Sequence, residues 1–207
     1  AFYYYIQALF ISREIEDRNG EGTTFNNIGA VYNGLGQYLQ ALEYYNQALS
    51  ISREIEDRSS EGNTLNNIGT VYESLGQYSQ ALETHEQALV ISREVGDRNV
   101  EGSTLNNIGA VYGSLSQDRK ALESYSQALV IFREIGSRNS EGRTLNNISL
   151  VYENLDQYSQ ALEYQKQALA ILHEVGDHRS EGSTLGNIGS IYSSLGLYPQ
   201  ALDSYNE

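Results

Sequence analysis

Between Arg58 and Leu75 the apolar residues Leu65, Ile68, Val71, Tyr72 and Leu75 recur at helical spacing and form one stripe. That stripe predicts an amphipathic helix, here helix A. From Tyr78 to Val95 a second stripe, Tyr78, Ala81, Leu82, Ala88, Leu89, Ile91 and Val95, predicts helix B. Both stripes return at a shift of 40 residues: ALEYYNQALSISREIEDRSSEGNTLNNIGTVYESLGQYSQ at 41–80 recurs with substitutions at 81–120, 121–160 and 161–200. A helical hairpin of this size cannot bury its apolar faces alone, so a fixed period predicts a stack of such hairpins. The reading is an all-α solenoid of about five repeats, a single array over 1–207. An orphan helix B occupies 1–17, followed by repeats 18–57, 58–97, 98–137, 138–177 and an incomplete 178–207.

The punctuation agrees with this register. Gly36, Gly76 and Gly196 stand where a left-handed residue ends helix A, and Ser116 and Asp156 hold the same column in the third and fourth repeats. Asp tolerates that conformation better than Ser, which marks the turn at Ser116 as the strained one. Helix B stops at Glu16, Glu56, Gly96, Gly136 or Gly176, each followed by an N-cap residue: Asp17, Asp57, Asp97, Ser137 or Asp177. Pro199, the sole proline, falls in the first turn of the last helix B, where its fixed φ fits.

The columns Leu65, Ile68, Gly69, Tyr72, Leu75, Gly76, Tyr78, Ala81 and Ala88 resemble the signature of the tetratricopeptide repeat. The resemblance runs the length of the chain. It implies antiparallel helix pairs wound into a right-handed superhelix, with Gly69 and Ala81 small where helices A and B cross. Ser149 in the glycine column is expected to loosen one crossing. The usual repeat is about 34 residues long, and the longer period here is similar to the arrays of kinesin light chains and Pins-type adaptors. That subclass implies an extended peptide segment of a partner protein held along the concave face of the A helices. Near-identical arrays of this kind in bacterial proteins are often joined to an effector domain such as a caspase-like peptidase.

On that face the resemblance places a ladder of Asn26, Asn66, Asn106 and Asn146, broken at Gly186. A carboxamide carries acceptor and donors together, so each rung could pair with the N–H and C=O of an extended backbone. The plainer alternative is that these asparagines bond neighbouring helices or face solvent. Asn33, Thr70, Glu73, Arg143, Leu150, Glu153, Asn154 and Ser190 would line the rest of the groove, with Arg143 its one cation. The next column, Asn27, Asn67, Asn107, Asn147 and Asn187, never varies and is turned about 100° away toward the adjoining helix, which favours a structural hydrogen bond to a neighbouring loop.

Composition removes several other functions. Asp and Glu number 27 against 13 Lys and Arg, for a formal charge of -14. Neither nucleic acid nor an anionic membrane surface is an expected partner of such a chain. It contains no cysteine, hence no thiolate nucleophile or disulfide framework, and no apolar run of the ~20 residues a membrane span needs. A cytoplasmic protein is the default reading. The absence of Met and the opening in mid-repeat point to a fragment of a longer chain. Arg53 and Arg58 recur beside Glu54, Glu56, Asp57 and Glu61, which reads as a solvated ion-paired face.

No constellation for catalysis emerges, and the expectation is a non-enzymatic scaffold without cofactor or metal. His85 falls in the packed column of Tyr45 and Tyr125, whereas His173 and His178 replace surface arginines at a spacing that does not stack them on one helix. Of the 17 tyrosines, Tyr32, Tyr72, Tyr112, Tyr152 and Tyr192 fall in the buried stripe of helix A, and Tyr38, Tyr78, Tyr158 and Tyr198 in the A-to-B turn, so both sets read as core. Two alternatives stand beside the peptide groove. One is end-to-end self-association through Ala1, Phe2, Tyr4, Tyr5 and Ile6 of the orphan helix, with the chain stopping at Glu207 inside another helix B. The other is a ligand-sensing module of a larger effector-linked protein.

Overall fold

The structure, a computed structural model, describes residues 2–206, the side chain of Phe2 excepted; Ala1, that side chain and Glu207 lie outside the described residues. Eleven helices and no strand occur among the described residues: α1 (Phe2–Glu14), α2 (Arg18–Gly34), α3 (Tyr38–Glu54), α4 (Arg58–Ser74), α5 (Tyr78–Val95), α6 (Arg98–Ser114), α7 (Asp118–Glu134), α8 (Arg138–Asn154), α9 (Tyr158–Glu174), α10 (His178–Ser194) and α11 (Tyr198–Asn206). The all-α repeat architecture read from the period is thus present, with α2, α4, α6, α8 and α10 as the A helices. Two compact units divide the chain, Ala1–Asn107 and Ile108–Glu207.

In the first unit α2 packs on α3 and α4 on α5, while α3 meets α4 and joins the hairpins. Ala41, Tyr45, Leu49, Leu65, Ile68, Val71, Ala88 and Ile91 form its core. Burying Leu65, Ile68 or Val71 stabilises the fold by roughly 1.5–3 kcal/mol each. In the second unit α8 packs on α9 and α10 on α11, with Tyr125, Leu129, Leu145, Ile148, Val151 and Leu172 among the core residues. The tyrosines are wetter than the stripe suggests. Tyr72 and Tyr152 are half-buried, and Tyr198 in the last A-to-B turn is 69% exposed.

Both turns of the repeat close in the same way. At the A-to-B turn the N–H of Gln77 donates to Tyr72 O at 2.8 Å and Gly76 takes a φ of 71°; at the B-to-A turn Asp57 N donates to Ser52 O at 2.8 Å. These are Schellman closures, which need a left-handed residue. Glu16, Glu56, Ser116 and Asp156 adopt that conformation without being glycine. Asp17, Asp57 and Asp177 cap the following helices, accepting from Gly20 N, Ser60 N and Ser180 N. Ser137 makes no such bond and instead donates its hydroxyl to Ser140 Oγ at 3.0 Å.

The glycine column has a different cause from a simple helix crossing. A Cβ on Gly69 would lie 2.6 Å from the His85 ring, and on Gly29 or Gly109 it would lie 2.7 Å from Tyr45 or Tyr125. A planar ring from helix B fills the space above each glycine. In the fourth repeat Ser149 faces no ring: the helix B column there holds Gln165, and Ser149 Oγ donates to Ala161 O at 2.8 Å, both side chains being buried.

Among the charged residues of these columns, Arg53, Glu54, Glu56 and Arg58 are exposed and Glu61 is buried. Glu61 is 6% exposed and is gripped from both sides, by Arg53 Nε at 2.8 Å and Arg58 at 2.5 Å. Glu21, Glu101 and Glu141 are clamped likewise by Arg13 and Arg18, Arg93 and Arg98, and Arg133 and Arg138. Burial alone would raise the Glu61 and Glu101 carboxyls, but the paired guanidinium groups hold both below the ordinary range. The mixed charge pattern hid this because Glu61 is the first member of the buried stripe that continues through Leu65 and Ile68. In the fifth repeat the two arginines become His173 and His178, on different helices, and their Nδ1 atoms meet Glu181 at 2.7 and 3.1 Å.

Candidate functional site

The asparagines of helix A connect one repeat to the next. Asn67 Nδ2 donates to Asn26 Oδ1 at 3.1 Å, and Asn107 Nδ2 donates to Asn66 Oδ1 at the same distance. Asn67 and Asn107 of the invariant column therefore make structural bonds, to the ladder of the preceding helix A and not to a loop. Asn26 Oδ1 also lies 3.5 Å from the Thr64 hydroxyl, and Asn66 Oδ1 3.0 Å from His85 Nδ1. With its carbonyl already accepting from Asn107, Asn66 requires His85 to donate from Nδ1, which fixes that tautomer. His85 Nε2 is then a buried acceptor with no partner, and burial pushes the imidazole down to about 4.

This geometry narrows what the ladder offers a ligand. The carbonyls of Asn26 and Asn66 are committed within the fold, while no group among the described residues takes their amide nitrogens. Asn26 and Asn66 can each donate to a peptide C=O but have little left with which to accept an N–H. Asn106 is half-buried in α6, and Asn146 donates to Thr184 Oγ1 of the next repeat at 2.8 Å.

The remaining groove residues are of several kinds. Thr70 is half-buried, donating to Asn66 O at 3.2 Å and accepting from Asn107 at 3.4 Å. Glu73 is half-buried, and burial pushes its carboxyl above the ordinary range. Asn33 is half-buried; Glu153 is too, and its Oε1 lies 3.5 Å from the hydroxyl of Ser190. Leu150 and Asn154 are exposed. Arg143 is no isolated cation, because its guanidinium pairs with Asp177 at 3.1 Å.

Sequence reasoning missed a cavity of about 190 Å³ between α2, α3 and α4. Ala48, Ile51 and Ile55 supply hydrocarbon; Asn19, Asn26 and Asn67 supply amides. The available signal was a column in which Gly20, Ser60, Val100, Ser140 and Ser180 differ in bulk while their neighbours repeat. Among the described residues no group of His, Asp or Glu is arranged to hold a metal ion, and no helix is long and apolar enough to cross a membrane.

Among solved structures, BtubC (BKLC) from P. vanneervenii has a TM-score of 0.85 at 19% identity, covering 99% of this chain and 86% of its own. A Rap protein complexed with Competence and Sporulation Factor has a TM-score of 0.80 at 20% identity over 94% of this chain, which spans 55% of that protein. A putative kinesin light chain of nearly identical TPR-like repeats from Podosopora anserina has a TM-score of 0.70 at 18% identity, covering 89% of this chain and 91% of its own. At such identities the likeness is one of fold. No curated protein matches the sequence. The tetratricopeptide repeat pattern itself matches residues 1–54, 60–134 and 140–207, and the chain belongs to the tetratricopeptide repeat family.

Proposed function

We propose that this chain is a non-enzymatic interaction scaffold that holds an extended segment of a partner protein against the asparagines of its A helices. The observation that carries the reading is the pair of amide nitrogens on Asn26 and Asn66, unclaimed by the fold although the carbonyls beside them are bonded. Donors in register with the repeat suit the carbonyls of a backbone lying across it, since a strand rises ~3.3 Å per residue and adjacent helices stand ~8–10 Å apart. A protein of the same fold in complex with Competence and Sporulation Factor supports the use of such repeats to hold a partner.

Asn26→Asp with Asn66→Asp tests this reading selectively, because each aspartate keeps the acceptor that Asn67 or Asn107 needs and removes the donors. Immobilised wild type and double variant would be exposed to protease-digested lysate and the retained peptides identified by mass spectrometry. Peptides held by the wild type and lost by a variant of unchanged helical circular dichroism support the groove. Equal retention by both proteins sinks it.

One observation favours self-association as a second reading: Tyr3, Tyr4, Ile6, Phe10 and Ile11 of α1 are each more than half exposed. An apolar face of this kind suits contact with another copy. Mass measured by sedimentation over a concentration series distinguishes the two, rising with concentration only if copies join.

A further inference from the structure

The cavity beside Asn26 depends on small side chains that other junctions replace. At the junction of α4, α5 and α6, Val100 stands in the column of Ser60 and is 7% exposed, so its methyls occupy interior space. At the junction of α8, α9 and α10, Asn139 Nδ2 and Arg143 Nη2 both reach Asp177 Oδ2, at 2.8 and 3.1 Å, and bridge the repeats. The first junction has Asn19 and Thr23 in those two columns and Asp57 in place of Asp177, and the cavity lies among them.

Inside it part of the polar lining is spent. Ser52 Oγ donates to Leu49 O at 3.0 Å, Asn63 Nδ2 to Ser59 O at 3.1 Å, and Ser60 N to Asp57 Oδ1 at 3.0 Å. Ala48, Ile51 and the partly exposed Ile55 supply the hydrocarbon of a lining that also holds Asn19, Thr23 and Asp57, with Asn26 Nδ2 and Asn67 Oδ1 as a donor and an acceptor at the edge. An apolar cavity of about 150 Å³ admits benzene, so this one has room for a large aliphatic side chain.

We propose that the space between α2, α3 and α4 is a specificity subsite that takes one leucine-sized aliphatic side chain of the bound segment, while Asn26 and Asn67 bond that residue's own C=O and N–H. The subsite rests on the peptide-binding reading and adds a sequence requirement to it. The amides of Asn26 and Asn66 address the backbone of any segment; this cavity selects which residue settles at the first junction.

The array supplies its own test substitution. Ser60→Val copies the residue at Val100, whose N–H keeps the capping bond to Asp97 Oδ1 at 3.0 Å, so the helix start is preserved. The probe is N-acetyl-leucine-methylamide, titrated while the side-chain amide resonances of Asn26 and Asn67 are followed by NMR, with the serine and lysine analogues as controls. The leucine probe is expected to shift both resonances in wild type and to bind at least about ten-fold more tightly than the serine probe. That preference should vanish in Ser60→Val. No response in wild type, equal responses to leucine and serine, a stronger response to lysine through Asp57, or an unchanged response in Ser60→Val each overturns the subsite. The two proposals fail separately: peptides lost by the Asn26→Asp, Asn66→Asp variant but kept by Ser60→Val leave the groove standing without its subsite.

Discussion

A side chain on Gly69 would collide with the ring of His85, its Cβ lying 2.6 Å from the imidazole. The same closeness links Gly29 to Tyr45 and Gly109 to Tyr125, so the glycine and the ring act as one packing unit. Ser149 and Gln165 are the one natural exchange of both partners within the array. Gly69→Ser alone is expected to destabilise by about 1–3 kcal/mol through overpacking, and Gly69→Ser with His85→Gln to recover most of that loss. Urea denaturation of the two single variants and the double variant measures the coupling; additive losses would show that glycine and ring do not act together.

His85 also sets an acid limit. Its folded-state value, about 4, lies below the ordinary value of an exposed imidazole, so between pH 6.5 and 4 the unfolded chain binds the proton and the folded chain does not. Stability from this group is complete above pH 6.5 and declines as pH falls through that window, by about 3 kcal/mol at most. His85→Tyr, copying Tyr45 and Tyr125, should flatten the stability curve from pH 6.5 to 4. An identical curve for variant and wild type would assign the acid sensitivity elsewhere.

Much of this architecture is legible in the sequence, because helix ends and turns depend on local chemistry. The stripe from Tyr78 to Val95 coincides with α5, and the left-handed positions that end helix A are marked by their column, even where Ser116 or Asp156 stands in place of glycine, whereas Glu16 and Glu56 are legible only as helix stops. The candidate site was less legible. The bond from Asn67 to Asn26 joins residues 41 apart, and no pattern within one repeat reveals which amide faces which carbonyl. The burial of Glu61 is hidden for a related reason: beside two arginines a carboxylate usually faces solvent, and only its place in the apolar stripe shows that it is buried.

The non-glycine turns differ in strain. Ser116 holds a φ of 54° with a side chain that makes no bond among the described residues, whereas Asp156 accepts from the Tyr158 hydroxyl at 2.8 Å. Ser116→Gly relieves roughly 1–2 kcal/mol of left-handed strain and loses roughly 0.4–1 kcal/mol to the freer unfolded chain. A melting temperature higher by about 2 °C is expected. Asp156→Gly forfeits the tyrosine bond and should leave the melting temperature nearly unchanged. Equal gains at both sites would show that the Tyr158 bond adds nothing.

The fifth clamp differs from the others in its partners. Glu61 and Glu141 are each held by two guanidinium groups, while Glu181 is held by His173 and His178 through their Nδ1 atoms. Hydrogen bonds from both histidines hold the Glu181 carboxyl below its ordinary range, so its contribution is present above that range and lost as pH falls through the folded value. A guanidinium presents several donors in a planar fork, whereas an imidazole meets the carboxylate with one nitrogen. His173→Arg with His178→Arg should therefore raise the melting temperature at pH 7 by about 1–3 °C, exposed ion pairs contributing little each. An unchanged melting temperature would mean that the single contacts of the two histidines hold α9 to α10 as firmly as the arginines do.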